Sequence, residues 1–321
     1  MLLGAIVGVL CQQSNPSVAE APYPNQPIKV VVGYPAGGSG DITGRIVADI
    51  LNRHLGVSAI VENVGGAGGS VAAQRVISSP PDGYTLMVAA NNEVLINNLV
   101  NHDIKYDGLR DLTHIGLVNH QPVVLVASPK AEAKSIDDFV NSAKSNPGKL
   151  TYGSSGVGTS FHIIGELVKQ KAGLSMVHVP YRGAAPLITD LLGGQIDYGV
   201  VVLSSALPSI RSGALAAVGT TEAKRAKSAS DIPALAEHPL FKDLDMGNWF
   251  ILCGPKGIPD EIVQRLKGAL QAGLAEAEVV KRLDTSGSEP FTGKEDVLPF
   301  LTSEQAKYRR IVESAKIKIG E

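Results

Sequence analysis

The stretch GYPAGGSGD, residues 33–41, separates an apolar run from an amphipathic segment. The preceding IKVVV (28–32) has the β-branched, continuous apolar character of a buried strand, and ITGRIVADILNRHL (42–55) has the periodicity of a helix. A glycine-rich turn between a strand and a helix presents free backbone N–H groups at the positive end of the helix. The sequence therefore predicts an anion-binding turn at this position.

The length and charge of the chain limit the class of protein. A chain of 321 residues is long for one core and suits two lobes. The net charge of −2, with no basic cluster, argues against a nucleic-acid partner. Cofactor and metal sites are not expected either, because the P-loop, dinucleotide and nucleophile-elbow patterns and H-x-x-x-H pairs are all absent from the sequence.

The first residues have the pattern of an export signal. Residues 2–10 are uninterruptedly apolar, too few to span a bilayer but enough for the apolar part of a signal peptide. Ser17-Val18-Ala19 supplies the small residues of a cleavage site. We predict a signal peptide over residues 1–19, incomplete if the start codon lies upstream, since no Lys or Arg precedes Lys29. Removal of this segment would leave Cys253 as the single cysteine and preclude an intrachain disulfide.

Strand and helix patterns alternate along most of the chain. A strand, a Gly/Ser-rich turn and a helix occur at 28–55 and again at 150–172, which indicates two α/β lobes with a mainly parallel sheet in each. We predict lobe 1 over 23–119 and 250–321 and lobe 2 over 120–249. The two-segment hinge is predicted around Leu117–Val126 and Trp249–Gly254. Ligands of open α/β sheets bind at the carboxyl ends of strands, where both turns lie.

Two charged residues near these turns allow two interpretations each. Asp41 can stabilise the first turn of its helix and pair with Arg45, or it can hydrogen-bond a ligand amine or a bridging water. Arg182, after the strand-like HVPY, is either a solvated surface residue or a bidentate partner for a ligand carboxylate. The residues alone leave both alternatives open.

Five segments together resemble one protein family. They are YPNQPIKVVVGYPAGGSGDITGRIVADIL (23–51), VENVGGAGG (61–69), PPDGYTL (80–86), YGSSGVGTSFHIIGELVKQKAG (152–173) and MVHVPYRGAAPLITDLLGGQIDYG (176–199). In content and order they resemble the Bug-type solute receptors of tripartite tricarboxylate transporters. The resemblance implies a two-lobed, type II (Venus-flytrap) periplasmic binding protein. It also implies a monomer that closes on a small mono- or dicarboxylate and passes it to membrane permease subunits.

The resemblance and the turn chemistry together define a candidate site. It draws on the first glycine loop, the serine-rich loop and the turn after HVPY, and comprises Tyr34, Ala36, Gly37, Gly38, Ser39, Asp41, Ser154, Ser155, Gly156, Gly158, Thr159, Ser160, Arg182 and Gly183. We expect no catalytic residue among them. Two alternatives stay open at this point: an enzyme of the same shape acting on a small organic acid, and a sensory receptor that signals to a membrane partner.

Overall fold

The computed structural model describes residues 23–131, 133 and 135–315, so the predicted signal peptide lies outside the described residues. The strands are β1 (Ile28–Val32), β2 (Ala59–Asn63), β3 (Thr85–Ala90), β4 (Leu112–Gln121), β5 (Val123–Ala127), β6 (Thr151–Ser154), β7 (Val177–Pro180), β8 (Tyr198–Val202), β9 (Ala216–Thr220), β10 (Asn248–Pro255) and β11 (Glu289–Pro290). The helices are α1 (Ser39–Leu55), α2 (Ser70–Ile77), α3 (Asn97–Val100), α4 (Ile136–Ser145), α5 (Ser160–Ala172), α6 (Ala184–Leu192), α7 (Leu203–Arg211), α8 (Asp260–Leu274), α9 (Ala277–Thr285) and α10 (Val297–Ala315).

The strands form two sheets, one in each lobe. The first has the order β11-β4-β10-β3-β1-β2 and the second the order β7-β6-β8-β5-β9. Strands β1, β3, β5, β8 and β10 are apolar and buried along most of their length, as expected for central strands covered on both faces. This arrangement confirms the predicted α/β architecture with two lobes.

Both sheets are mixed, which corrects the prediction of mainly parallel sheets. Strands β1, β2 and β3 run parallel to one another, as do β6, β7 and β8. Strand β10 is antiparallel to β3 and β4, and β5 is antiparallel to β8 and β9. The physical reason is that β4, β5 and β10 carry the chain from one lobe to the other. They join their sheets without the helical crossover that parallel neighbours require.

The chain passes between the sheets at two places. Strands β4 and β5 are separated only by Pro122, and they belong to different sheets. The return lies between β9 and β10, and Trp249–Gly254, predicted as the second hinge segment, forms part of strand β10 in the first sheet. The lobe boundaries at 119/120 and 249/250 remain a prediction, and β4 and β10 each extend two residues past them.

Strand β4 continues through a polar segment that the sequence pattern suggests is a break. The segment Asn119-His120-Gln121 suggests a polar break between two strands, but all three residues belong to β4. Asn119 donates to the Thr43 hydroxyl (3.1 Å) and Gln121 donates to the Ser288 hydroxyl (3.0 Å). Because the NH2 groups of these buried amides have acceptors, the residues are accommodated within the strand.

Helix α10 packs against both lobes. It contacts β4 of the first lobe and α5 of the second. Glu304 accepts a hydrogen bond from the Trp249 indole (3.0 Å), and the Ser314 carbonyl accepts one from Gln170 (3.1 Å). One continuous hydrophobic cluster consequently includes Met87 of the first sheet, Tyr198 of the second and Tyr308 of α10.

Candidate functional site

A cavity of about 530 Å3 lies between the lobes, at the ends of the strands that precede α1, α5 and α6. Its lining comes from both lobes and consists of Tyr34, Pro35, Ala36, Gly37, Gly38, Ser39, Gly40, Ala90, Asn92, Ser155, Ser160, Phe161, Arg182, Gly183, Ala184, Ala185, Pro186, Ile188, Val201, Val202, Ser205, Asn248 and Phe250. A cavity of this size, with few polar groups among apolar walls, is typical of a small-molecule site.

The cavity brings together nine of the fourteen residues predicted for the site. Those in the lining are Tyr34, Ala36, Gly37, Gly38, Ser39, Ser155, Ser160, Arg182 and Gly183. The other five, Asp41, Ser154, Gly156, Gly158 and Thr159, lie in the same loops but outside the lining. Their contacts show that they hold the loops in shape.

Asp41 fastens the first glycine loop to its helix. Its Oδ2 accepts hydrogen bonds from the Gly37 N–H (2.9 Å) and from Arg45 Nε (2.9 Å). Burial alone would raise the pKa of this carboxyl, but the hydrogen bonds from Arg45, Gly37 and Asn63 outweigh it and lower the pKa. These contacts favour the structural interpretation of Asp41, and they start α1 at Ser39 rather than at residue 42.

The two glycines at the centre of this loop have different roles. Gly37 has φ +84°, in the left-handed region that favours glycine, and a Cβ built there meets no protein atom within 4 Å. Gly38 is extended, with φ −80° and ψ 171°, and is the N-cap of α1. Of the two, only Gly37 therefore requires a conformation that favours glycine.

In the serine-rich loop, two hydroxyls form hydrogen bonds within the loop and two have no partner among the described residues. Thr159 caps α5 and donates to the Gly156 carbonyl (2.8 Å), and Ser154 donates to the same carbonyl (3.1 Å). Ser155 and the buried Ser160 both line the cavity, and among the described residues neither side-chain hydroxyl has a hydrogen-bond partner. Ser155 is therefore the hydroxyl of this loop that a bound molecule can reach directly, whereas the Ser160 hydroxyl is buried and has no partner among the described residues.

A serine and a histidine meet behind this loop. Ser154 Oγ lies 2.7 Å from His178 Nε2, and the His178 ring stacks on that of His162 with centroids 4.1 Å apart. Burial, together with the charge of His162, lowers the pKa of His178 to about 4. Ser154 is completely buried and lies outside the cavity lining, so this contact supports the loop and does not present a nucleophile to the cavity.

The turn after β7 adds a third helix N-terminus. Gly183, at φ +111°, is the N-cap of α6, whose first residues Ala184 and Ala185 also line the cavity. Arg182 is exposed beside them and makes no ion pair with any residue that the structure describes. A guanidinium without a partner, next to free N–H groups, is suited to binding a carboxylate.

Two residues outside the predicted site, Asn92 and Glu93, connect these parts. Asn92 lines the cavity, and its Oδ1 accepts a hydrogen bond from the Ser160 N–H across the lobes (2.9 Å). Glu93, its neighbour in a π-helical turn, accepts hydrogen bonds from the Tyr34 hydroxyl (3.2 Å) and the Ala90 N–H (3.0 Å). In the sequence, these two residues are indicated only by a polar run, Asn-Asn-Glu, directly after a buried strand.

Glu93 is held in a tight enclosure. It is 1% exposed, and a Cβ on Gly33 or Gly69 would lie within 2.4 Å of its Oε1. Burial raises the pKa of Glu93 to about 8, although hydrogen bonds from Ala90 and Tyr34 oppose this effect. The loop GGAGGS (65–70), although glycine-rich like the first loop, packs against Glu93 through Gly69 and does not line the cavity.

Comparison with solved structures places this geometry among binding proteins. An R. palustris protein solved with adipate is 29% identical, covers 92% of this chain and 99% of its own, and superimposes with a TM-score of 0.86. The periplasmic binding protein BugD is 28% identical, with the same coverage and a TM-score of 0.84. MatC from Rhodopseudomonas palustris, solved with malate, is 26% identical over 90% of this chain and all of its own, with a TM-score of 0.83.

These neighbours confirm the two-lobed binding-protein fold. In the part of the chain that the structure describes, no helix is both long and apolar enough to cross a membrane. The family model described as "Tripartite tricarboxylate transporter family receptor" matches residues 43–317, which include every described strand of the second lobe and most of the first. The chain belongs to the tripartite tricarboxylate transporter receptor family.

Proposed function

We propose that this protein is a periplasmic receptor that captures a small mono- or dicarboxylate between its lobes and delivers it to the permease of a tripartite tricarboxylate-type transporter. The observation that carries the proposal is the convergence of three helix N-termini, those of α1, α5 and α6, on one cavity. The N-termini of α1 and α6 have no side-chain cap and favour negative charge through free N–H groups and the helix dipole, whereas α5, whose Ser160 N–H is bonded to Asn92, contributes mainly through its dipole. The described lining contains Arg182 and no acidic side chain.

The proposed roles follow from the contacts of each loop. Backbone N–H groups of the first loop would bind one carboxylate, while Ser155, Ser160 and Arg182 approach from the other lobe. Asp41, Ser154, Gly156, Gly158 and Thr159 would act indirectly, by fixing the loops. Family membership and the neighbours solved with adipate and malate support a carboxylate as the ligand.

The two alternatives, an enzyme and a sensory receptor, differ from a transport receptor in what happens to the ligand or to the closed protein. An enzyme would return a changed molecule, and the serine–histidine contact behind the loop is buried away from the cavity. A sensory receptor would bind the same acid but hand its closed form to a signalling partner. We favour a receptor for transport because the family is defined by a transporter.

A matched pair of glycine variants tests the site. Gly37 and Gly56 flank the two ends of α1, both have positive φ (+84° and +71°), and a Cβ on either meets no protein atom. Gly37→Val and Gly56→Val therefore carry similar backbone strain, but only Gly37 lines the cavity. Calorimetric titration with malate and adipate should show binding in the wild type and in Gly56→Val and strong loss in Gly37→Val. The titrated acid, recovered and analysed by mass spectrometry, should be unchanged.

Ser155→Ala should weaken binding by roughly 0.5–1.5 kcal/mol, the net value of one hydrogen bond, or more if its partner is charged.

Wild-type affinity in Gly37→Val would contradict the proposed site. Tight binding of an uncharged sugar such as maltose, with no binding of carboxylates, would contradict the proposed ligand class.

A further inference from the structure

The walls of the cavity divide into polar and apolar parts. The polar part consists of the first glycine loop, Asn92, Ser155, Ser160 and Arg182. The apolar part is contributed mainly by the second lobe: Phe161 from the first turn of α5, Ile188 from α6, and Val201 and Val202 from the end of β8. Phe250 of β10 faces them from the first lobe.

The apolar part is too extensive to serve only the carboxylate. Backbone N–H groups and hydroxyls suffice to bind a carboxylate, and aromatic or aliphatic side chains add nothing to that contact. Apolar walls stabilise a ligand by about 25 cal/mol for each Å2 of apolar ligand surface that they remove from water. A ligand that is polar over its whole surface would instead lose hydrogen bonds to water against Phe161, Ile188 and Val202.

The charge of the lining leads to the same conclusion. Among the described lining residues Arg182 is the one cation, so two or three carboxylates at close spacing would leave negative charge unbalanced in the cleft.

We propose that the ligand is an amphipathic acid, with one carboxylate at the helix N-termini and an aliphatic or aromatic body against Phe161, Ile188, Val201 and Val202. This inference rests on the proposed function and narrows its ligand class. Any second carboxylate would be separated from the first by an apolar spacer, which allows it to reach Arg182 at the side of the cavity.

Four acids of graded polarity test this inference by calorimetry on the full chain: phenylacetate, adipate, malate and citrate. We expect phenylacetate or adipate, or both, to bind at least tenfold more tightly than malate and citrate. The heat capacity change on binding of the tighter acid should be negative, because apolar surface is buried.

A pair of variants on one helix localises the effect. Ile188→Ala removes three carbons from the cavity wall, whereas Leu192→Ala removes a similar side chain one turn later, where Leu192 is exposed and outside the lining. Ile188→Ala should lower the affinity for the tighter acid by about tenfold and that for malate by less than twofold. Leu192→Ala should change neither, and melting curves on both variants establish that they are folded.

The outcomes separate this inference from the proposed function. If malate or citrate binds as tightly as phenylacetate and adipate, or if Ile188→Ala weakens all acids equally, the amphipathic ligand class is wrong and the carboxylate receptor stands. If none of the four acids binds, both proposals are wrong.

Discussion

At the scale of single residues, the polar groups of the two loops divide into those that line the cavity and those that hold the loops in shape. Asp41, Ser154 and Thr159 are polar like Ser39, Ser155 and Ser160, but their side chains form hydrogen bonds within their own loops. The sequence predicts both loops correctly, because glycine and serine spacing identifies strand–turn–helix junctions. It cannot separate the two groups, since a cap and a ligand contact require the same residue types.

Glu93 shows why some residues of the site could not be predicted. Nothing in the run Asn-Asn-Glu-Val indicates that this carboxyl is enclosed by Gly33 and Gly69, which are distant in sequence. Its hydrogen bond with Tyr34 is likewise a contact between separate segments. Long-range packing of this kind is invisible to periodicity and turn chemistry.

The dependence of the free energy of unfolding on pH tests whether Glu93 is protonated in the folded protein. Burial raises its pKa from the ordinary value of 4.5 to about 8, so between these values the folded protein holds a proton that the unfolded chain releases. The free energy of unfolding should therefore fall as pH rises from 5 to 8, by at most about 1.4 kcal/mol per pH unit. Glu93→Gln cannot titrate and should lack this decline in urea unfolding experiments.

The exposed Glu278 supplies the control for this experiment. Glu278→Gln removes an exposed carboxylate and is measured over the same pH range, so that the general effect of losing one carboxylate is known. If the wild-type and Glu93→Gln curves are parallel from pH 5 to 8, Glu93 is ionised in the folded protein and its enclosure does not hold a proton.

At the scale of secondary structure elements, the sequence predicts the positions of strands and helices better than their directions. Apolar β-branched runs identify β1, β3, β5 and β8, each to within a few residues. Which strands are antiparallel depends on where the chain changes lobes, and an apolar run such as that of β10 has the same appearance in either direction. The π-helical turn after β3 also has no periodic signal.

At the junction of β6, β7 and α5, we predict that protonation of a buried histidine lowers the free energy of unfolding in acid. His178 on β7 has a pKa lowered to about 4 by burial and by the charge of His162, so from pH 6.5 to 4 the unfolded chain binds a proton that the folded protein does not. Stability should fall as pH falls through this window. His178→Gln keeps a hydrogen-bonding group near Ser154 but cannot titrate, and the variant should lose less stability than the wild type between pH 6.5 and 4.

His102→Gln, at an exposed position, is the matched control for the replacement of a histidine by glutamine. The comparison must be made between variant and wild type, because Glu93 changes stability in the opposite direction over part of the same range. Equal acid dependence in His178→Gln and the wild type would show that this histidine takes up its proton in the folded state.

At the scale of the whole molecule, two sheets share one hydrophobic cluster, and this predicts how the protein unfolds. The cluster continues from the first sheet through Tyr308 of α10 to the second, and Tyr308 also accepts a hydrogen bond from the buried Asn91 (2.7 Å). Because neither lobe can lose its packing without exposing the other, we expect one cooperative transition, with equal calorimetric and van't Hoff enthalpies.

Replacing Tyr308 tests this coupling. Tyr308→Ala should leave a cavity in the packing shared by the lobes and lower the free energy of unfolding by about 3–5 kcal/mol, the usual cost of removing a large buried aromatic side chain. Tyr308→Phe keeps the ring and should cost only about 1–3 kcal/mol, the penalty for leaving the Asn91 amide short of a partner. In both variants the transition should shift to lower temperature as a single peak, because α10 contacts β4 in one lobe and α5 in the other. A scan in which Tyr308→Ala splits into two peaks, one at the wild-type temperature, would show that α10 stabilises one lobe alone.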